Sequence, residues 1–300
     1  MKMLIVVNGA HAQAPDAALL LRSYLESQGI DSECRLASDL SLSAYLADGG
    51  ILNTRPAEEF DMGIVLGGDG TILRTSRILS GGDVPILGIN FGHLGFLANS
   101  SEQGVITVVA AALAGDVTEE RRANMLIDVV LEGDDAAGVL CGEPDEARAR
   151  DGRSCFALNE ISIARGASGR ILDFSVDIAG VHVATMRGDG VVVSTATGST
   201  AYALSAGGPL VAPGYQGLTV VPLAPHTLRS RAIVTAQEDV VEVELAGRVS
   251  RSEASLFVDG ETLHFDRPIE RVFVRRGPHP TTLLRYRNES FYARAAQVFF

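Results

Sequence analysis

Three hundred residues, 46% hydrophobic and 21% charged, make a globular chain long enough for two domains and exclude a disordered one. A formal net charge of −12 argues against non-specific binding to nucleic acid or to an anionic membrane. Lys2 is the single lysine, so neither a Walker A loop nor the strand lysine of protein kinases can be built. Cys34, Cys141 and Cys155 lack metal-ligand spacing, and no His pair stands at zinc spacing. The longest apolar stretch, 104–115, is about half of what a membrane crossing needs. These features predict a cytoplasmic protein with reduced thiols and no nucleic-acid or membrane partner.

In chain order, residues 3–7 read as a buried strand and 15–28 as a helix with Leu19, Leu20, Tyr24 and Leu25 on its apolar side. Strands follow at 61–66 and 84–89, with a helix starting near Thr71 between them and another over 101–114. Wholly apolar strands alternating with helices predict a parallel sheet covered on both faces, hence a Rossmann-like α/β domain over residues 1–120. Beyond Glu119 the texture changes. Residues 125–131, 171–178, 181–186, 191–194, 240–245, 255–258 and 272–276 read as strands with few helices between them, which predicts a β-sandwich-like C-terminal domain over 121–280. The acidic segment 133–153 reads as an exposed hairpin tip or mobile loop. Residues 288–300 read as a short amphipathic helix, and 281–300 are expected to return to the first domain.

Four segments carry candidate chemistry. The strand before Gly67-Gly68-Asp69-Gly70-Thr71 ends in a turn where glycines let a phosphate chain approach the backbone. One acid there could take a proton from an attacking hydroxyl or help hold magnesium, although Asp-Gly is also ordinary turn chemistry. Thr195-Ala196-Thr197-Gly198-Ser199-Thr200-Ala201-Tyr202 predicts a helix of about two turns from Thr200 to the Gly207-Gly208-Pro209 stop. Its N-terminus suits an anion and Tyr202 offers a face for a base, while a capped surface helix is the plain alternative. Asn159-Glu160, before a strand, could read an adenine edge and ribose hydroxyls, or simply form a polar strand entry. Met186-Arg187-Gly188-Asp189-Gly190 could pair Arg187 with a phosphate and Asp189 with a polar group, or be a hairpin turn. His93, in Gly92-His93-Leu94-Gly95-Phe96, reads as a loop histidine bonded to backbone and Phe96 as a pocket wall. Arg74 and Arg77 read as solvated helix charges, with Arg74 placed to reach a triphosphate.

Together these segments strongly resemble the NAD kinase family, through Gly67-Gly68-Asp69-Gly70-Thr71, Gly92 to Phe96, Asn159-Glu160 and Ser194 to Pro209. The resemblance implies an N-terminal α/β domain, a C-terminal β domain, and transfer of the γ-phosphate of ATP, or of polyphosphate, to the 2′-hydroxyl of the adenosine ribose of NAD. By matching position, Asp69 would be the general base and Gly70 would face the substrate. Asn159 and Glu160 would hold the adenosine. Thr200, Ala201, Tyr202, Ala203, Leu204 and Ser205 would line the dinucleotide pocket, with Arg74 and Phe96. Arg170, Arg187, Asp189 and Asp259 match further contact positions, with Arg187 and Asp189 expected to be able to reach a neighbouring subunit's site, and Gly67, Gly68, Gly70 and Thr71 would form the ATP phosphate loop. Magnesium would arrive with the phosphates and without direct protein ligands, and the family implies a homodimer or homotetramer. A lipid kinase shares the Gly-Gly-Asp-Gly turn, but no lipid groove or basic face is evident. A non-catalytic nucleotide sensor would not need the intact Asp69.

Overall fold

The computed structural model describes residues 1–92, 95–141, 146–287 and 290–300, apart from the side chains of 140 and 141. His93 therefore lies outside the described residues, as do 142–145 of the acidic segment. The chain divides into two compact units. One comprises Met1–Tyr45, Asn53–Arg122 and His279–Phe300, the other Leu46–Leu52 and Ala123–Pro278.

In the first unit, β1 (Lys2–Val7), β2 (Asp31–Leu36), β3 (Met62–Leu66), β4 (Ile86–Asn90), β5 (Asn99–Ser100) and β6 (Thr118–Arg122) form one sheet with the late strand Thr281–Arg285. Its order is β2-β1-β3-β4, then Thr281–Arg285, then β6, with β5 beside β4. The first four strands run parallel, and Thr281–Arg285 runs parallel to β4. The sheet is not parallel throughout, because β6 pairs antiparallel with Thr281–Arg285. Met3, Ile5, Val7, Ile64, Leu66, Leu87 and Ile89 pack against Leu21 and Leu25 of the helix Ala14–Ser27 and Val108 and Val109 of the helix Val105–Leu113. Those strand residues share one face. Leu4, Val6, Val65 and Ile86, which alternate with them, are buried on the other, where the helix Asp69–Ile78 packs, and cover on both faces explains why these strands carry uninterrupted apolar residues.

The first helix buries Ala14, Ala18, Leu21 and Leu25, whereas Leu19 and Leu20 are 63% and 67% exposed. The apolar side expected from Leu19 and Leu20 is thus corrected: the i, i+4, i+7, i+11 row wins, because its alanines let the helix approach the sheet. Arg77 also departs from its expected solvated position, for it is fully buried in the helix Asp69–Ile78.

The second unit holds β7 (Met125–Leu131), β8 (Ser154–Ala157), β9 (Glu160–Arg165), β10 (Leu172–Ile178), β11 (Val181–Gly188), β12 (Gly190–Ser194), β13 (Thr219–Leu223), β14 (Ile233–Val234), β15 (Val241–Leu245), β16 (Ala254–Val258), β17 (Glu261–Leu263) and β18 (Ile269–Arg276). They form two antiparallel sheets, ordered β11-β10-β15-β18-β7-β8 and β14-β13-β12-β9-β16-β17. Two of the crossings between these sheets are especially tight, through Leu158-Asn159 between β8 and β9 and through Asp189 alone between β11 and β12. The Gly188-Asp189-Gly190 turn is therefore a corner between sheets, not a hairpin. Gly190 has φ +146°, and a Cβ there would stand 2.0 Å from the Ile163 carbonyl oxygen, so only glycine fits. Asp259-Gly260, with φ of 47° and 80°, makes the two-residue hairpin between β16 and β17.

The segment 133–153 is not simply an exposed tip. It carries the helices Ala136–Cys141 and Glu146–Arg150, and Arg148 and Ala149 are buried. The buried Asp128 of β7 accounts for this: its carboxylate takes Ser154 Oγ at 2.7 Å, Arg148 at 3.4 Å and Arg275 at 2.5 Å. A buried carboxylate needs such partners, and Arg148 brings the segment in with it.

Candidate active site

Two constellations emerge, one in each unit. In the first, β3 delivers the chain to Gly67-Gly68, and Asp69 opens the helix Asp69–Ile78. A carboxylate in the first helical turn is favoured by the helix dipole, and the Asp69 and Gly70 amides precede the first bonded one, Thr71 N–H, which donates to Gly68 O at 2.9 Å. Gly67 is packed tightly: a Cβ there would lie 2.7 Å from Thr71 Oγ1 and 2.9 Å from Asn8 Cβ. Gly70 is the opposite, with no atom within 4 Å of where its Cβ would be. Packing does not demand glycine at 70, so its smoothness is available to an approaching molecule.

Asp69 is held from across the loop. Phe96 N–H donates to Oδ2 at 2.8 Å and Leu97 N–H to Oδ1 at 3.2 Å. These bonds orient the carboxylate and leave each oxygen a further lone pair. Gly95 makes the contact possible, since a Cβ there would stand 2.2 Å from Asp69 Oδ2. A cavity of about 160 Å³ beside this loop is lined by Phe96, Asn99, Glu120, Arg122, Arg285 and Phe291 among others. Phe96 stacks on Phe299 at 5.6 Å, so one ring face serves the helix Phe291–Phe299. Burial alone would raise the Glu120 carboxyl, but the guanidiniums of Arg122 and Arg285 outweigh it and hold it below its ordinary value. Arg74, expected to reach a triphosphate, donates instead to the Ala37 carbonyl at 3.0 Å.

In the second unit, Asp259 collects three consecutive amides. Leu158 N–H donates to it at 3.0 Å, Asn159 N–H at 2.8 Å and Glu160 N–H at 3.2 Å. The carbonyl side of the same segment is held as firmly. Thr195 Oγ1 donates to Leu158 O at 2.6 Å, and Thr195 N–H to Asn159 O at 2.9 Å. Gly198 lies against it, where a Cβ would be 2.4 Å from Asn159 O. With its backbone saturated, this corner leaves Asn159 Oδ1 and Glu160 Oε2 shielded from solvent and without a hydrogen-bond partner. Burial, then the charge of Asp259, pushes the Glu160 carboxyl up to about 8. Unsatisfied polar atoms of this kind cost about 1–3 kcal/mol each unless a ligand meets them. Asn159 Oδ1 can accept from a hydroxyl or amine, and the Glu160 carboxyl, protonated below about 8, can donate as well as accept.

The hydroxyl-rich segment is not the expected two-turn helix. Gly198–Thr200 is a 3-10 turn and Tyr202–Ser205 a single α turn, with Ala201 between them at φ −109°, ψ −129°. Thr195 Oγ1 caps the first turn by accepting from the amides of Thr197 and Gly198, and the break comes at Ala201, whose N–H closes an i→i+3 bond to Gly198 O at 2.9 Å and whose ψ turns the chain out of the helix. Tyr202 is 44% exposed, and Thr200, Ala201 and Leu204 are half-buried. Ser205 is exposed, whereas Ala203 is sunk among Val192, Val221 and Leu223. Gly207, at φ +88°, stops the α turn.

Sequence reasoning placed Asn159, Glu160 and Asp259 as separate contacts, and the structure joins them in one group. Within one chain Arg170, Arg187 and Asp189 stand apart from that group, pairing with Glu253, Asp173 and Arg165 at 3.6, 3.8 and 3.2 Å, and a role for Arg187 and Asp189 at a neighbouring subunit's site stays an expectation. Reading the sequence also passed over Gly95 and Thr195 as site residues. Their signals were present, as a glycine and a hydroxyl inside quoted segments, but each acts on a distant residue. Among the described residues, no group of three or more His, Cys, Asp or Glu could hold a metal ion, and no helix is long and apolar enough to cross a membrane.

This geometry can be set beside known proteins. Family models for the ATP-NAD kinase N-terminal and C-terminal domains match residues 50–117 and 158–286. An NAD kinase of Methylibium petroleiphilum is 36% identical over 286 residues, 94% of this chain and 89% of that protein. The chain belongs to the NAD kinase family. Membership makes it a phosphotransferase. Among solved structures, an NAD kinase from Archaeoglobus fulgidus in complex with ATP matches with a TM-score of 0.69 at 25% identity, over 100% of this chain and 97% of that one. A yeast NADH kinase complexed with NADH shares the fold, with a TM-score of 0.79 at 18% identity over 99% and 87%. Within the NAD kinase family frame, the family models span Asp69 on one side and Asn159–Glu160 and Asp259 on the other.

Proposed function

We propose that this member of the NAD kinase family moves the γ-phosphate of ATP to the 2′-hydroxyl of the adenosine ribose of NAD, with Asp69 as general base. The observation that carries this reading is the Asp69 carboxylate, set at the start of a helix behind a glycine turn and oriented by the Phe96 and Leu97 amides. As the ribose oxygen forms its bond to the γ-phosphorus, its O–H bond breaks and the proton passes to Asp69. The bond from the γ-phosphorus to the β,γ-bridging oxygen breaks, and ADP leaves with that electron pair. A base so placed is worth about 10²–10⁴-fold, and positioning with charge stabilisation supplies the rest. The donor is the magnesium salt of ATP, or polyphosphate in its place. The Asp69 and Gly70 amides at the helix start, with smooth Gly70, suit the phosphates.

Asn159 and Glu160 hold the adenosine in this reading, since Asn159 Oδ1 can accept from an amine or hydroxyl and the Glu160 carboxyl can donate or accept. Tyr202 supplies a stacking face from its exposed turn. A homodimer or homotetramer in the cytoplasm belongs to the same reading, and the free thiol of Cys34 is in keeping with that compartment. The test is a coupled assay of purified protein with NAD, ATP and Mg²⁺, reading NADP through an NADP-specific dehydrogenase. A parallel reaction replaces ATP with polyphosphate. NADP from the wild type and its absence from Asp69→Asn is the expected result. No NADP from folded protein with either donor would overturn the reading.

A further inference from the structure

The segment that orients Asp69 is itself gripped from behind. Its amides face the carboxylate, and its carbonyls face the guanidinium of Arg285. Nη2 of Arg285 donates to Phe96 O at 2.6 Å and Nη1 to Leu97 O at 2.6 Å, with Ala98 O a further 3.4 Å contact of Nη1. Nε donates to Glu120 Oε2 at 2.5 Å, and the other Glu120 oxygen takes Arg122 Nη2 at 2.9 Å. Arg285 and Glu120 stand on the adjacent strands Thr281–Arg285 and β6, and the Arg285 side chain is 14% exposed. Asn99 extends the grip, donating to Gly88 O and Leu284 O while accepting from Tyr286 N–H.

One peptide group connects the two sides. The Phe96 carbonyl accepts from Arg285, and the N–H of the same peptide unit, on Leu97, donates to Asp69. A trans peptide points its oxygen and hydrogen in opposite directions, so a cation at one end and an anion at the other lie along one dipole. Each bond then polarises the group toward strengthening the other. Only a guanidinium has enough donors in a fixed fork to serve these carbonyls and a carboxylate together, and lysine does not.

We propose that Arg285, itself held by Glu120, is a positioning residue that sets the Asp69 carboxylate through the Phe96–Leu97 peptide. This rests on the reading of Asp69 as general base. It assigns a role in the reaction to a residue separated in sequence from every motif quoted above.

The test compares Arg285→Gln and Glu120→Gln with wild type, by steady-state kinetics and by hydrogen exchange at the Phe96 and Leu97 amides. Arg285→Gln is expected to lower kcat by about 10- to 100-fold, as a misplaced catalytic group does, with KM for NAD nearly unchanged and faster exchange at both amides. Glu120→Gln, which removes the charge behind Arg285, gives the same signature more weakly, and it carries the comparison if Arg285→Gln does not fold. A folded Arg285→Gln with wild-type kcat would overturn the positioning role, as would a loss confined to KM with both amides exchanging normally. Asp69→Asn is measured first. Intact turnover there sinks the general-base reading itself, whereas lost turnover there with normal kcat in Arg285→Gln removes only Arg285.

Discussion

In both units an aspartate gathers backbone amides from a distant segment, but the two place the free chemistry on opposite sides of that contact. In the first, the aspartate is the reagent and the amides of Phe96 and Leu97 are its frame. In the second, Asp259 is the frame, and the segment it holds presents Asn159 and Glu160. The difference teaches what each corner is for. Two amide bonds orient Asp69 yet leave it lone pairs for a proton. Three amides occupy Asp259 and leave the neighbouring side chains oriented with nothing of their own kind to bond.

Asp69→Asn breaks that comparison most sharply. It keeps the shape and removes the base, so turnover is expected to fall at least about 10²-fold with NAD affinity little changed, by single-turnover kinetics and equilibrium binding. Next comes Gly95→Ala. Its methyl would overlap the Asp69 carboxylate, so kcat is expected to drop by about 10- to 100-fold as the acid is displaced. Unaltered kinetics in that variant would show that the position of Asp69 is not critical.

Asp259→Ala probes the other corner. Loss of its bonds to three amides is expected to lower stability by about 1.5–3 kcal/mol and to raise KM for NAD more than it lowers kcat, measured by denaturation and steady-state kinetics. Glu160 adds a pH signature. Its carboxyl titrates near 4.5 unfolded and is raised to about 8 by burial and then by Asp259. The folded protein therefore holds a proton that the unfolded chain releases. This contribution to stability is complete below about 4.5 and is lost as pH rises toward about 8. Glu160→Gln is expected to flatten that slope in thermal scans at stepped pH. The smallest effect belongs to Arg187→Ala: its side chain is 63% exposed and its pair with Asp173 spans 3.8 Å, so stability is expected to change by less than about 0.5 kcal/mol.

Much of the architecture was legible because it follows local rules. Apolar runs gave the parallel strands, and the shift to short alternating strands marked the second unit. Strand β2, reading Asp-Ser-Glu-Cys-Arg-Leu, escaped notice because an edge strand needs no apolar run. The site was legible as a set of residue types but not as an arrangement. Asp69 announces itself by its glycines, whereas Arg285 and Asp259 act on backbone groups about 190 and 100 positions away, where no periodicity reaches. The broken helix at Ala201 was hidden because the break is a backbone turn at an alanine, a residue whose identity carries no stop signal.

The strand Thr281–Arg285 lies between β4 and β6, although residues 123–280 are made between them and it. During synthesis, one flank of β4 therefore waits for its neighbour while more than half of the chain is still being added. At about 5–20 residues per second that interval lasts on the order of 10–30 s. The second unit, contiguous except for Leu46–Leu52, can assemble in the meantime. The ribosome thus sets an order in which the pocket around Asp69 is finished last: Arg285, which closes the grip on its loop, emerges only after every strand of the other unit.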